Sequence, residues 1–376
     1  MEKGIDTDAQ AFSAVPAAWK VGGAKRFFDL AVDMLCLLGV DGYLKVINPA
    51  WSRTLEWSTA ELTGRPYIDF VHPDDRVATK AEAAKLAGGF ATVQFRNRWQ
   101  HRDGSYRWLG WTATPAMDDG VIYAAARDIT SMVLAEEQEI EHTKQQLLRV
   151  KSALDTRQLQ TVFQPIIELK SRKVVGVEAL ARFGLSPKRP PDEWFAEADE
   201  VGLRPELEMR AVRQALPHVD RLPAGTFLAL NVSPETLLTR DFAEELAVHD
   251  GSRLVIEVTE HAAVEDYNRL QQAISLLRAD GVRFAIDDAG AGFSSMKHIV
   301  RLVPDFIKLD FSLTRDIDSD PVKRALASAL VTFCSEIGAL LIGEGVETRG
   351  ELDVLLELGF EEAQGFYLAK PYNPRR

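Results

Sequence analysis

Residues 176 to 183 read Gly176-Val177-Glu178-Ala179-Leu180-Ala181-Arg182-Phe183. Apolar side chains alternate there with Glu178 and Arg182, so a β-strand would bury one face and turn a carboxylate and a guanidinium the same way. Two opposite charges four residues apart on a buried face are costly to keep dry unless something ionic lies between or beside them. One reading is an internal ion pair. The other is a carboxylate for a cation and a guanidinium for a phosphate, whose oxygens suit the arginine fork. The carboxylates that follow favour the second reading.

From Leu159 onward, strand-like runs at 161–169, 174–183, 226–233, 253–259, 282–288, 305–310, 339–344 and 364–368 alternate with helical runs such as 192–201, 211–219, 266–280 and 321–337. About eight strands with intervening helices over roughly 215 residues predict an α/β fold, a TIM-like (β/α)8 barrel whose chemistry sits at the C-terminal strand ends. The polar residues fall where that rule puts them. Glu178 lies in the second strand, Asn231 near the end of Ala229-Leu230-Asn231-Val232-Ser233, and Glu257 in Val255-Ile256-Glu257-Val258-Thr259-Glu260. Asp287 and Asp288 close Phe284-Ala285-Ile286-Asp287-Asp288, Lys308 and Asp310 end Ile307-Lys308-Leu309-Asp310, and Glu344 and Glu347 follow Leu340-Leu341-Ile342-Gly343. Converging carboxylates raise one another's pKa and repel, so cations must sit among them. Oxygen and amide donors without His or Cys point to Mg²⁺ or Mn²⁺ over zinc.

The motif set Gln164-Pro165-Ile166, Glu178-Ala179-Leu180-Ala181-Arg182, Asn231-Val232-Ser233, Glu257-Val258-Thr259-Glu260, Asp287-Asp288, Lys308-Leu309-Asp310, Glu344-Gly345-Val346-Glu347 and Gln364-Gly365 resembles the EAL phosphodiesterases of cyclic di-GMP signalling. The resemblance implies two metal ions in the site. Glu178, Asn231, Glu257 and Asp287 would hold one, and Asp287, Asp288 and a glutamate of the Glu344/Glu347 pair the other, with Glu344 nearer the strand end. It gives Lys308 the task of orienting the attacking water or offsetting developing charge. Gln164 and Gln364 would contact guanine or ribose, Leu180 would pack on the ligand, and Arg182 would pair with a phosphate. The product would be the linear dinucleotide pGpG. The chain departs from the family where the acidic pair is usually followed by Phe-Gly-Thr-Gly and here by Ala289-Gly290-Ala291-Gly292. Glu260, which steadies that loop in the family, is present. In the family, dimerisation often uses the helix and loop after the acidic pair, here 293–303.

Before the barrel, the chain reads as a smaller α+β unit. An apolar run Leu35-Cys36-Leu37-Leu38, a hairpin signal at Asp41-Gly42, helical stretches around 51–57 and 60–62, and strand-like runs at 91–101, 105–115 and 120–128 make it up. Asn48-Pro49-Ala50, Glu61-Leu62-Thr63-Gly64-Arg65, Val71-His72-Pro73-Asp74-Asp75-Arg76, His101-Arg102-Asp103-Gly104 and Ala126-Arg127-Asp128-Ile129-Thr130 resemble a PAS sensory domain, whose ligand these motifs leave undefined. His72 and His101 fit turn caps better than haem ligands, and Trp51, Trp57, Trp99, Trp108 and Trp111 fit core anchors better than a ligand wall. Val133, Ile140, Leu147 and Leu154 recur every seven residues beside a partly apolar second row (Glu136, Thr143, Val150), which reads either as a helical spacer or, the reading favoured here, as a marginal parallel dimer helix able to rotate or slip. The expected layout is a tail over 1–24, a PAS domain over 25–130, a helical linker over 131–158 and an EAL domain over 159–376.

Hydrophobic residues at 46% and charged residues at 27% give material for a core. A net charge of -12 disfavours a nucleic-acid surface. Two cysteines, Cys36 and Cys334, make no disulfide framework, and with no apolar run long enough to span a membrane and no export signal at Met1-Glu2-Lys3-Gly4 the expected setting is the cytoplasm. The functional expectation is a PAS-regulated, homodimeric cyclic di-GMP phosphodiesterase using Mg²⁺ or Mn²⁺. The alternative is a receptor that binds cyclic di-GMP and signals through the PAS-linker dimer.

Overall fold

The computed structural model describes residues 17–116, 120–154, 158–259, 266–289 and 294–373, and within them the side chains of all but 17–21, 259 and 294–297. The chain divides into two compact units between His142 and Thr143.

In the first unit, β1 (Met34–Gly39), β2 (Leu44–Ile47), β3 (Thr92–Gln100), β4 (Tyr106–Ala116) and β5 (Val121–Asp128) form an antiparallel sheet in the order β2-β1-β5-β4-β3. Ser58 and Glu61 form a reciprocal capping box at the helix Thr59–Gly64. Trp51, Trp99 and Trp111 are buried with ring centroids 5.2 to 5.8 Å apart, and Trp111 Nε1 donates to Asn97 Oδ1 at 2.7 Å. Their bulk leaves a cavity of about 50 Å³ beside them, small against the roughly 300 Å³ of the smallest usual cofactor sites. His72 Nδ1 accepts from the Asp74 backbone N–H and His101 Nδ1 from that of Asp103, so both histidines cap turns. A helix Ala17–Leu30 precedes β1 and runs through the expected tail boundary at residue 24, because Ala, Lys and Phe outweigh its two glycines.

A helix Thr130–Leu154 covers most of the linker. Its burial does not follow the seven-residue row. Ile140 is exposed, whereas Val150 and Ala153 are buried in a cluster with Trp194, Ala198 and Leu207. The last turns have an apolar partner within the second unit, and that partner sets which face is covered.

The second unit is a closed eight-stranded barrel: β6 (Leu159–Glu168), β7 (Lys173–Phe183), β8 (Phe227–Asn231), β9 (Leu254–Thr259), β10 (Arg283–Ala289), β11 (Phe306–Leu309), β12 (Leu340–Gly343) and β13 (Glu362–Ala363). It differs from a uniform (β/α)8 barrel in one strand. β6 runs antiparallel to both β7 and β13, because a hairpin and not a crossover helix joins β6 to β7. The expected strand at 364–368 is a turn, and the eighth strand is the two-residue β13 just before it. Asp320 caps the helix Pro321–Ile337 at one end and Gly338, at φ 75°, closes it at the other. Ile166, Phe227, Ala229, Val255, Ala285, Phe306 and Ile342 form one apolar cluster. Arg283, the first residue of β10, lies 4.9 and 5.0 Å from the rings of Phe227 and Phe306, the first residues of β8 and β11, so a guanidinium stacked on two aromatic rings lies at the N-terminal end. No described helix is long and apolar enough to cross a membrane.

Candidate active site

At the other end of the barrel the strand register brings the expected polar residues together. Gln164 pairs with Glu178 across β6 and β7, Glu178 with Ala229 across β7 and β8, and Asn231 with Glu257 across β8 and β9. Lys308, from β11, is buried with its ammonium at the centre. Its Nζ lies 2.7 Å from Glu344 Oε1, 2.9 Å from Glu257 Oε2, 3.1 Å from Asp287 Oδ1 and 3.5 Å from Glu178 Oε1. Glu178 also accepts from Asn231 Nδ2 at 2.8 Å and from Gln364 Nε2 at 2.6 Å.

Neighbouring residues in a strand face opposite ways, yet Asp287 and Asp288 both belong to this group. The pairing of β10 with β11 shifts register between Ile286 and Ala289, and Asp288 takes the left-handed conformation at φ 58°. The bulge brings the second carboxylate round toward the first. Oxygens of Glu178, Glu257 and Asp287 lie within 4.8 Å of one another, as do those of Asp287, Asp288 and Glu344. Each of these two donor sets, which share Asp287, could hold a divalent cation.

Glu347 stands apart from both sets. Its carboxylate faces Arg315 at 3.4 Å and is half exposed, because Gly345 turns the chain at φ 65° between it and Glu344. Asp310 caps the short helix Phe311–Thr314 and takes no part in the cluster. Glu260 and residues 290–293 lie outside the described residues; Ala289 is buried in the core.

Four carboxylates around one ammonium leave a formal excess of three negative charges, most of it buried. Burial and the neighbouring carboxylates push Glu257 and Glu344 well above the usual carboxylate range despite Lys308. Burial also pushes Glu178 upward, but Lys308 and the amides of Gln364 and Asn231 outweigh it and hold this group low. Lys308 is held well above the usual lysine range, since the four carboxylates outweigh its burial. The residues therefore fit divalent cations, which would relieve the excess charge. Because burial and the neighbouring carboxylates make Glu257 and Glu344 bind protons more tightly than ordinary carboxylates, Mn²⁺ competes with protons there and its affinity should rise with pH. Apparent affinity should rise by about tenfold per pH unit for each proton released. Calorimetry between about pH 6 and about pH 8 measures this, and equal affinity at the two ends would contradict the proton displacement.

Two cavities flank the cluster. One, of about 270 Å³, is walled by Gln164, Glu178, Asp287, Lys308, Glu344, Glu347 and Gln364 with Phe311 and Phe366. The other, of about 390 Å³, is walled by Leu180, Arg182, Asn231 and Asp288 with Asp192 and Phe195. Glu178 in the wall of the first accepts a hydrogen bond from Asn231 in the wall of the second. Gln364 Oε1 is buried without a protein partner. Gly365 lets its loop sit against Val346, since a Cβ there would come within 2.2 Å of the Val346 backbone.

Three contributors escaped the sequence reading. Phe311 and Phe366, more than half exposed beside the first cavity, directly follow Lys308-Leu309-Asp310 and Gln364-Gly365, and an exposed aromatic after such a motif was the available signal. Glu208 accepts from the Ser233 N–H and hydroxyl at 2.8 and 2.7 Å, which fixes the loop after Asn231, and nothing in its sequence setting announces that role.

A family model described as EAL domain matches residues 147–371, and one described as PAS fold matches residues 45–125. The cyclic di-GMP phosphodiesterase PA2567 of Pseudomonas aeruginosa is 30% identical over 231 residues, covering 57% of this chain and 38% of that protein. The probable cyclic di-GMP phosphodiesterase PdeN of Escherichia coli is 27% identical over 235 residues, covering 59% and 45%. The solved PaMucR phosphodiesterase, in complex with c-di-GMP, superposes with a TM-score of 0.56 at 28% identity and covers 61% of this chain and 98% of that one. The manganese and cyclic di-GMP complex of Klebsiella pneumoniae BlrP1 gives 0.51 at 30% identity, covering 58% and 57%. The chain spans less than half the length of these curated relatives.

Proposed function

Since the chain belongs to the EAL domain family over residues 147–371, we propose that it hydrolyses cyclic di-GMP to linear pGpG at the carboxylate-rich end of the barrel. The observation that carries this reading is the pair of carboxylate sets sharing Asp287 beside a buried lysine. In it, Glu178, Asn231, Glu257 and Asp287 would hold one divalent cation, Mg²⁺ or Mn²⁺, and Asp287, Asp288 and Glu344 a second. Such cations, when bound, offset charge on a phosphoryl group and make water nucleophilic near neutral pH. Lys308, fixed by its four neighbours, presents an ammonium where negative charge builds up on the phosphoryl oxygens. The cleft has a lobe on either side of the cluster, which suits a ligand with two guanine halves. Phe311 and Phe366 offer faces for one base, Gln164 and Gln364 offer amides to it, and Leu180 and Arg182 line the other lobe.

The reading extends to control by the first unit, whose sheet region matches a PAS fold. Glu197, buried, joins Arg149 of the linker helix to Arg189, and the two guanidiniums outweigh its burial to hold its carboxyl low. The helix Pro191–Glu200 that carries Glu197 also supplies Asp192 and Phe195 to the second lobe. A displacement of the linker helix would therefore be felt at the cleft wall. Val300 and Val303, exposed at the end of the helix Ser294–Leu302, offer an apolar face to a second copy of the chain.

Purified protein with Mn²⁺ should convert cyclic di-GMP to pGpG by chromatography. Binding without turnover in Mg²⁺ and Mn²⁺ would leave the receptor reading in its place. In the same assay Glu197→Ala should raise KM by about three- to tenfold with Mn²⁺ affinity unchanged, and an unaltered KM would remove this route of control.

A further inference from the structure

A larger cavity, of about 820 Å³, lies outside the cleft, between the helix Arg204–Ala215, its continuation Leu216–Arg221, the first residues of β6, and Asn373. The described residues of its wall include Arg210, Arg213, His218 and Arg221 and no carboxylate, in a chain whose net charge is -12. Positions 210, 213, 214, 217, 218 and 221 recur every three or four residues, so one helical face carries these groups to one side. Arg213 is answered by Glu245 at 2.7 Å. Among the described residues neither Arg210 nor Arg221 has an ion-pair partner, and Arg210 Nε and Thr161 Oγ1 are buried without a hydrogen-bond partner.

We propose that this cavity binds a small phosphate-bearing anion. Guanidinium forks match phosphate oxygens in pairs, and an anion with several acceptor oxygens satisfies both the surplus charge and the orphaned donors. The volume falls in the range of small-molecule sites, roughly 300 to 1,000 Å³, which suits a phosphorylated metabolite of nucleotide size better than a lone phosphate. Another face of the same helix presents Arg204, Glu208 and Ala211 to the second lobe of the cleft, and Glu208 fixes the loop after Asn231. Occupancy of the cavity is thus in a position to alter affinity in the cleft, and the reverse.

The test needs no turnover and is independent of the hydrolysis reading. Metal-free full-length protein is titrated with inorganic pyrophosphate at constant ionic strength by calorimetry. One saturable site is expected, weakened at least about tenfold in Arg210→Gln/Arg221→Gln and in Arg221→Glu alone. Arg221 is exposed, so the single variant leaves the core intact and thermal unfolding should match the parent. Arg182→Gln, on the cleft wall, should bind pyrophosphate as the parent does. Absence of saturable binding, equal binding by the variants at Arg210 and Arg221, or loss of binding in Arg182→Gln would overturn the proposal, the last by placing the anion in the cleft.

Discussion

Lys308→Met should lower kcat by about 100- to 1,000-fold with little change in KM, and should destabilise the metal-free protein by about 3 kcal/mol near neutral pH. The two effects have one origin. The ammonium is the positive charge shared by Glu178, Glu257, Asp287 and Glu344 at 2.7 to 3.5 Å, and methionine fills its volume without replacing it. In the metal-free variant the carboxylates have lost their counter-charge, so the folded-state pKa values of Glu257 and Glu344 rise farther above the unfolded value of about 4, and Glu178 loses the main charge that holds it low. A carboxylate raised in the folded state costs stability above that folded pKa, and the cost vanishes as falling pH protonates it. Mn²⁺ supplies positive charge by another route. Thermal unfolding should therefore show a deficit at neutral pH that acid or Mn²⁺ largely erases, while the loss in kcat persists in saturating Mn²⁺. Equal stability of the two proteins near pH 7 without metal, or a kcat within a few-fold of the parent, would show that Lys308 neither balances the cluster nor acts on the substrate.

Much of this centre was legible in the sequence because barrel chemistry sits at strand ends, and Asn231, Asp287, Lys308 and Glu344 each close or follow an apolar run. What remained hidden depends on pairings distant in sequence or on backbone detail. The largely apolar run in β6 reports a buried strand, and says nothing of its direction. The sequence puts Glu344 nearer the strand end than Glu347 without choosing between them, and the turn at Gly345 and the guanidinium of Arg315 separate them. Asp287 and Asp288 should point apart by strand periodicity, and the bulge that unites them shows only in register. The linker row at Val133, Ile140, Leu147 and Leu154 obeys a heptad, yet Val150 and Ala153 are buried because Trp194 and Leu207 lie against them. The strand expected at 364–368 failed for a related reason. Phe366 and Tyr367 are exposed, Phe366 beside the cleft, and the segment forms a turn that pairs with no neighbouring strand.

Glu178→Ala should abolish measurable hydrolysis, a loss of at least about 1,000-fold in kcat, and weaken Mn²⁺ binding by about 100-fold. Glu178 ties three elements together, accepting from Asn231 and Gln364 and facing Lys308, so alanine removes a ligand oxygen and leaves two amides without their acceptor. The informative companion is Glu178→Gln, which keeps the volume and one carbonyl acceptor, removes the charge and turns the other oxygen into an N–H donor. If Glu178 were no more than one acid in an ion-pair cluster, the glutamine would relieve repulsion among Glu257, Asp287 and Glu344 and leave Mn²⁺ affinity as it was. If it is a cation ligand, the glutamine should fold like the parent and still lose both Mn²⁺ affinity and turnover. Calorimetry with Mn²⁺ and a cyclic di-GMP assay on this one variant therefore separate the two meanings that the run from Gly176 to Phe183 carried from the start, and retained turnover would decide for the ion pair.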